Sequence, residues 1–221
     1  PPQAPTSGRL RAMSVVGTVR VTCPGCARAH DARLVQSLNT RTQPDDKRAL
    51  VAGELNTVAC PCGRRVQLAA NLLFYDPDAA YYARVCPGDD DALADAATVF
   101  RASGATGRLR LVPSHNALVE KVKILDADLE DWAIEIVKVL LLATVGDLDR
   151  VLLFDRVDRA AMVIHWVRFD EHAAAPRPVA SDLAAYERVA ARAASAPDPD
   201  ELQIDRAWAV AAAADLVAAG N

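Results

Sequence analysis

Four of the five cysteines in this chain fall in two short turns, Cys23-Pro24-Gly25-Cys26 and Cys60-Pro61-Cys62, with 33 residues between the turns. Thiolates paired so closely have three chemistries open to them. They can fill all four positions of a tetrahedral metal site, leaving none for a substrate. They can cycle between dithiol and disulfide. With a vacant position and a general base beside it, they can hold a catalytic metal. In each turn proline follows the first cysteine and narrows the backbone, while Gly25 and Gly63 supply the freedom that a tight reversal needs.

The surrounding residues choose among these. A redox dithiol wants its first cysteine at a helix N-terminus, yet Cys26-Ala27-Arg28-Ala29-His30 opens no apolar helical stripe, and the second pair stays unexplained. A catalytic zinc site would announce itself as H-E-x-x-H, or as H-x-E with P-C-x-x-C, and neither occurs. The expectation is one structural zinc ion on Cys23, Cys26, Cys60 and Cys62. The second turn is one residue shorter than the usual C-x2-C. His30, four residues after Cys26, and Cys86, before Pro87-Gly88, therefore stand as alternative ligands to Cys62.

Other tempting residues have simpler roles. Ser114-His115-Asn116 precedes a helix, and capping by Ser114 and Asn116 explains it better than a nucleophile does. Gly104-Ala105-Thr106-Gly107 lacks the Lys-Ser/Thr of a phosphate loop. Asp89-Asp90-Asp91 has no spaced oxygen ligands after it, and reads as a solvated turn. Asp126, Asp128, Glu130 and Asp131 read as acids at a helix boundary.

The elements that must position the cysteines follow from periodicity. Residues 15–22 are β-branched and run directly into the first cysteine turn. A second strand is expected over 34–39, a short helix over 45–52, and strands over 66–74 and 80–85. Pro87 to Asp91 breaks the pattern and is the expected boundary between a zinc-ribbon-like module, 13–90, and a helix-rich α+β part, 91–221. In the second part helices are expected over 92–101, from Asn116, and over 129–144 with Asp128 as cap. The apolar positions from Leu118 to Val139 could also make one unbroken coiled-coil seam, but the acids at 126 and 128 favour a helix pair. Residues 150–157 and 161–169 read as a hairpin, followed by a helix capped at Ser181 or Asp182 and a last helix over 205–219 stopped by Gly220. The fold class is thus α+β: a zinc-ribbon-like β module joined to a helix-rich part with a β-hairpin.

Composition bounds the rest. Of the 221 residues, 52% are hydrophobic, which suffices for a real core. No apolar run approaches the roughly 20 residues that span a bilayer; residues 139–145, Thr144 included, number seven. With no signal-peptide pattern at the front, the cytoplasm is the expected location. Residues 1–12, rich in Pro and Arg, read as a disordered leader, with Met13 a candidate start. The net charge of −4 is uneven: residues 14–66 hold eight Lys/Arg against four Asp/Glu, residues 116–221 eleven against nineteen. The acidic second half argues against a large nucleic-acid footprint there and leaves only a small one in the first part.

Three segments carry a family resemblance. They are Cys23-Pro24-Gly25-Cys26; G-E-L-N-T-V-A-C-P-C-G over residues 53–63, continuing to Phe74-Tyr75-Asp76-Pro77; and L-V-E-K-V-K-I-L-D-A-D-L-E-D-W-A-I-E-I-V-K over 118–138. In order and in intervening residues these resemble the CpXC family of bacterial proteins, with Cys60-Pro61-Cys62 lacking the family's intervening residue. The resemblance implies a zinc-ribbon-like element within a larger α+β protein, and it implies no reaction. The expected function is a non-enzymatic interaction or regulatory protein. Its partner would be another protein, or a second copy meeting it through the apolar helix 129–145. The alternatives are a nucleic-acid-binding ribbon and an enzyme with a site between the two parts.

Overall fold

The computed structural model describes residues 15–68, 70–88, 90–169, 175–192 and 196–218. The expectations for residues 1–12, Asp89 and Gly220 lie outside them. The architecture is mixed α+β, with six helices and four small sheets among the described residues. The chain divides into two compact units, Val119 ending the first and Glu120 opening the second.

In the first unit β1 (Val16–Thr22) and β2 (Ala29–Val35) form an antiparallel hairpin. β2 starts earlier than its sequence suggests, because Ala29 to Arg33 lack β-branched residues and only pairing with β1 makes them a strand. β3 (Ser37–Asn39) and α1 (Pro44–Val51) follow; Pro44 opens the helix, where a missing N–H costs nothing. β4 (Thr57–Ala59) and β5 (Arg65–Gln67) make a second hairpin. The single strand expected over 66–74 is in fact two, β5 and β6 (Leu73–Asp76), in different sheets.

β7 (Tyr81–Val85), α2 (Asp90–Ala102) and β8 (Arg108–Val112) complete the unit, with sheet order β3-β6-β7-β8. Its buried face takes alternate residues, Phe74 on β6 and Tyr81, Ala83 and Val85 on β7. β8, unexpected from sequence, carries Arg110 at 5% exposure, a polar residue that hides the strand's pattern. Gly107 leads into it at φ 125, with the Ala80 carbonyl where a Cβ would lie, so no other residue fits.

α3 (His115–Asp126) contains the division between the units. Ser114, not Asn116, caps it: Ser114 Oγ accepts from the Ala117 N–H at 3.2 Å, and Asn116 lies inside the helix. The helix ends at Asp126; two residues on, Asp128 has a φ of 54, which rules out an unbroken seam, and Asp128 is not the cap of α4 (Asp131–Thr144). Glu130 holds that position, without a side-chain cap.

The second unit adds a sheet of β9 (Val151–Asp158), β10 (Val163–Phe169) and β11 (Arg177–Asp182), in the order β11-β10-β9, and helices α5 (Leu183–Ala190) and α6 (Arg206–Ala218). β11 contains Pro178, a residue that reads as loop in sequence; as an edge strand β11 tolerates it. Asp182 caps α5 by accepting from the Ala184 N–H at 2.8 Å. Trp132, Ile136, Phe154, Ile164, Trp166 and Leu183 belong to one core, with Phe154 edge-on to Trp166.

The second unit also buries a layer of charged side chains. Lys121 Nζ is 3.2 Å from carboxylates of both Asp131 and Glu135, and donates to the Ile204 carbonyl at 2.7 Å. Lys138 Nζ reaches Glu135 at 2.9 Å and Glu120 at 3.0 Å, and Glu120 accepts from the Phe154 N–H at 2.7 Å. All five side chains are buried. Asp131 is thus the acid of the first turn of α4, as expected, and also a buried ion-pair partner.

Candidate metal centre

Each cysteine turn is the tip of a hairpin. At the first, the Cys23 N–H donates to the Arg28 carbonyl at 2.9 Å, closing a loop of residues 24–27. Inside it the Ala27 N–H donates back to the Cys23 carbonyl at 2.9 Å. At the second, the Cys60 N–H donates to the Arg64 carbonyl at 2.8 Å, and the Gly63 N–H to the Cys60 carbonyl at 2.9 Å. The second loop is one residue shorter because it is a three-residue hairpin turn, a form that ends in a left-handed residue. Gly63 takes that position at φ 87.

The corresponding residue of the first turn is Ala27 at φ 57. Gly25, expected to supply that freedom, does not have a positive φ. Its use is close approach: Arg64 packs against it, with Cδ 2.5 Å from where a Cβ would stand. In both turns the left-handed residue directly follows the second cysteine. That is the device by which a CPGC and a CPC sequence present their sulfurs alike.

The four sulfurs of Cys23, Cys26, Cys60 and Cys62 all lie within 4.8 Å of one another, and this group could hold a metal ion. Across the turns, Cys23 lies 3.7 Å from Cys62 and Cys26 lies 3.5 Å from Cys60, sulfur to sulfur. Both far exceed the 2.0–2.1 Å of a disulfide, and the thiols are free. Cys23 and Cys60 are buried; Cys26 and Cys62 are exposed.

The reserve ligands are placed differently. His30, on β2, sets its Nε2 3.2 Å from Cys60 Sγ, so it contacts one sulfur of the group rather than replacing Cys62. The spacing of His30 from Cys26 makes it a candidate near the group; that it meets Cys60 depends on the register of β2, where His30 stands opposite Val21. Cys86, buried, directs its thiol to the Ala92 carbonyl at 3.6 Å, outside the group.

The thiols differ in acidity. The Gly25 backbone N–H, 3.4 Å from Cys23 Sγ, leads the effects that lower Cys23 to about 6, against the cost of burial. The Cys62 amide draws Cys60 down, but burial and the neighbouring sulfurs outweigh it and push Cys60 up to about 12. Adjacent sulfurs without a cation cannot all ionise; one gives up its proton and its neighbour keeps it. A bound cation removes that conflict and favours thiolate at every position.

Ser114 and His115 do not form a nucleophile pair: Ser114 serves α3, and His115 Nε2 is buried without a hydrogen bond, burial lowering the pKa of the ring and favouring its neutral form. No helix among the described residues is long and apolar enough to cross a membrane.

No curated protein and no solved structure matches the chain. The family model described as CpXC protein matches residues 21–138, a span that starts just before the first cysteine turn, takes in the second, and ends at the last lysine of the buried charged layer; the chain belongs to the CpXC family.

Proposed function

We propose that this protein is a non-enzymatic interaction or regulatory protein of the cytoplasm, with one structural zinc ion on Cys23, Cys26, Cys60 and Cys62. The supporting observation is the sulfur geometry. A tetrahedral zinc site with Zn–S bonds near 2.3 Å has edges of about 3.8 Å. The Cys23–Cys62 and Cys26–Cys60 separations, 3.7 and 3.5 Å, are close to that edge. Four sulfur ligands close the coordination sphere, so the ion holds structure and has no position for substrate. The fold supports this reading. β1–β2 and β4–β5 are separate two-stranded sheets, a size that is marginal in water, and a shared ion joins their tips.

Metal analysis of the purified chain tests this. One equivalent of zinc is expected, lost together with the fold of the two hairpins in Cys23→Ser or Cys60→Ser. A metal-free, folded chain carrying a Cys23–Cys26 disulfide would overturn it in favour of redox chemistry.

One observation favours nucleic-acid binding as a second reading: Arg20, Arg28, Arg64 and Arg65 are exposed on the two hairpins. A zinc ion on four thiolates carries about −2, and Asp31 and Glu54 lie on or beside the same hairpins. These largely offset the arginines, so the first reading stands ahead. Salt-dependent retention of RNA or DNA would reverse the order.

A further inference from the structure

The two cysteine hairpins carry facing strands that share no ladder. Among the described residues β2 pairs only with β1, and β4 only with β5. Residues 31–33 of β2 and 57–59 of β4 line a groove of about 350 Å³, together with Asp46 and Ala49 of α1 and Glu54 and Leu55.

The strand registers say which backbone groups face away from each hairpin. In an antiparallel pair alternate residues bond across, and those between them point their N–H and C=O outward. The Gln36 N–H donates to Val15, and the Cys23 N–H to Arg28, which puts the even residues of β2 in the bonded set. Asp31, Arg33 and Val35 therefore turn their backbone groups away from β1. On β4 the bonds of Cys60 to Arg64 and of Leu68 to Asn56 leave Thr57 and Ala59 turned away from β5.

At Val35 a side chain already occupies this edge. Asn56 Oδ1 accepts from the Val35 N–H, and Asn56 Nδ2 donates to the Val35 carbonyl, both at 2.8 Å. Its primary amide stands in for one peptide unit of a neighbouring strand. Next along the edge come Arg33 and Asp31, and neither they nor Ala59 opposite has an outward backbone partner among the described residues. The charges at the groove are uneven. Arg33 is taken up by a bidentate pair with Asp46 at 2.8 and 2.7 Å. The carboxylates of Asp31 and Glu54 remain, Glu54 meeting Arg65 only at 3.9 Å on the surface.

We propose that this groove binds an extended, basic peptide segment, which adds to the free edge of β2 beside Asn56 and sets a Lys or Arg between Asp31 and Glu54. From Arg33 to Asp31 the edge advances about 7 Å, so the docked stretch is about three residues long. The inference deepens the interaction reading and rests on it: backbone bonds supply affinity, and the acidic rim supplies the choice of partner.

The test is a titration of the metal-loaded, isotope-labelled full chain with short peptides of alternating Thr and Val and a central Lys. Amide shifts centred on Asp31, Arg33 and Ala59 are expected. N-methylating alternate peptide amides, or replacing the central Lys by Glu, is expected to weaken binding about tenfold or more, the worth of one or two hydrogen bonds. Asp31→Lys is expected to exchange the Lys preference for Glu; the N-methyl series needs no protein variant and stands if Asp31→Lys fails to fold. Shifts elsewhere, indifference to N-methylation, or no shift at millimolar peptide overturns the proposal. A chain that keeps its zinc but shows no shift refutes the groove alone; one that shows the shifts without zinc refutes the zinc reading alone.

Discussion

Lys121→Met isolates the buried charged layer of the second unit. Lys121 is 4% exposed and lies 3.2 Å from each of two carboxylates, on Asp131 at 2% and Glu135 at 4%. Methionine keeps an unbranched apolar stem and removes the charge. Glu135 still has Lys138 at 2.9 Å, but Asp131 loses this ion pair and the Ile204 carbonyl loses its 2.7 Å donor. Removing one member of a buried ion pair costs about 3–5 kcal/mol, because the remaining charge has been taken out of water. That is a large part of a typical domain's total stability of about 5–15 kcal/mol. The assay is built into the chain: its three tryptophans, Trp132, Trp166 and Trp208, all lie in the second unit. Urea unfolding followed by tryptophan emission is expected to shift its midpoint down by at least about 1 M, from a slope of about 1–3 kcal/mol per M. Lys123→Met is the control. Its pair with Asp155, at 2.9 Å, is about 30% exposed on both sides and is worth about 0–1 kcal/mol. If the Lys121 variant loses no more than the Lys123 variant, the layer is not desolvated and the reasoning fails.

Glu120→Gln tests the same layer through pH. Burial raises the Glu120 carboxyl above its ordinary value, against the pull of Lys138. A group raised in the folded state stabilises it below the unfolded pKa, and that contribution is lost as pH rises through the folded pKa. Wild type is therefore expected to lose stability relative to Glu120→Gln as pH rises from acid, read by tryptophan emission; a constant difference refutes the assignment. Chelating the metal is expected to abolish hydrogen-exchange protection in residues 15–68 while tryptophan emission stays native, since zinc can supply on the order of 10 kcal/mol to the fold it holds. Protection that survives chelation would show the hairpins do not depend on the ion. Gly63→Ala is expected to cost about 1–2 kcal/mol at φ 87, and Ala27→Gly, at φ 57, to cost nothing or to stabilise, both read from the melting of the metal-loaded chain. Equal effects would refute the left-handed role of these two positions.

How much of this was legible depends on range. The cysteine turns were, because their chemistry lies within a few consecutive residues. The helix stops were read less well: Asp128 looked like a cap for the helix after it, and Asp182 was rightly one of two candidates. An Asp before a helix and an Asp just after one differ only in φ, which composition does not reveal. β2, β8 and β11 were missed or misplaced because pairing made them strands. Ala29 to Arg33, the buried Arg110 and Pro178 of β11 all carry weak or contrary local preference.

By itself the sequence determined that two proline-bearing cysteine turns exist, that their residue types suit a closed metal site, and that an apolar helix follows. Only the tertiary structure decided that the shorter turn still brings Cys62 to the other three sulfurs, through a left-handed Gly63 matching Ala27. It alone decided that His30 contacts the group from β2 and that Cys86 does not join it. It also turned Lys121, Asp131, Glu135, Lys138 and Glu120 from ordinary surface charges into a buried layer. The reason is physical. Turn chemistry depends on neighbours along the chain, whereas burial, register and charge pairing depend on segments far apart in sequence, and no local pattern records which of them will meet.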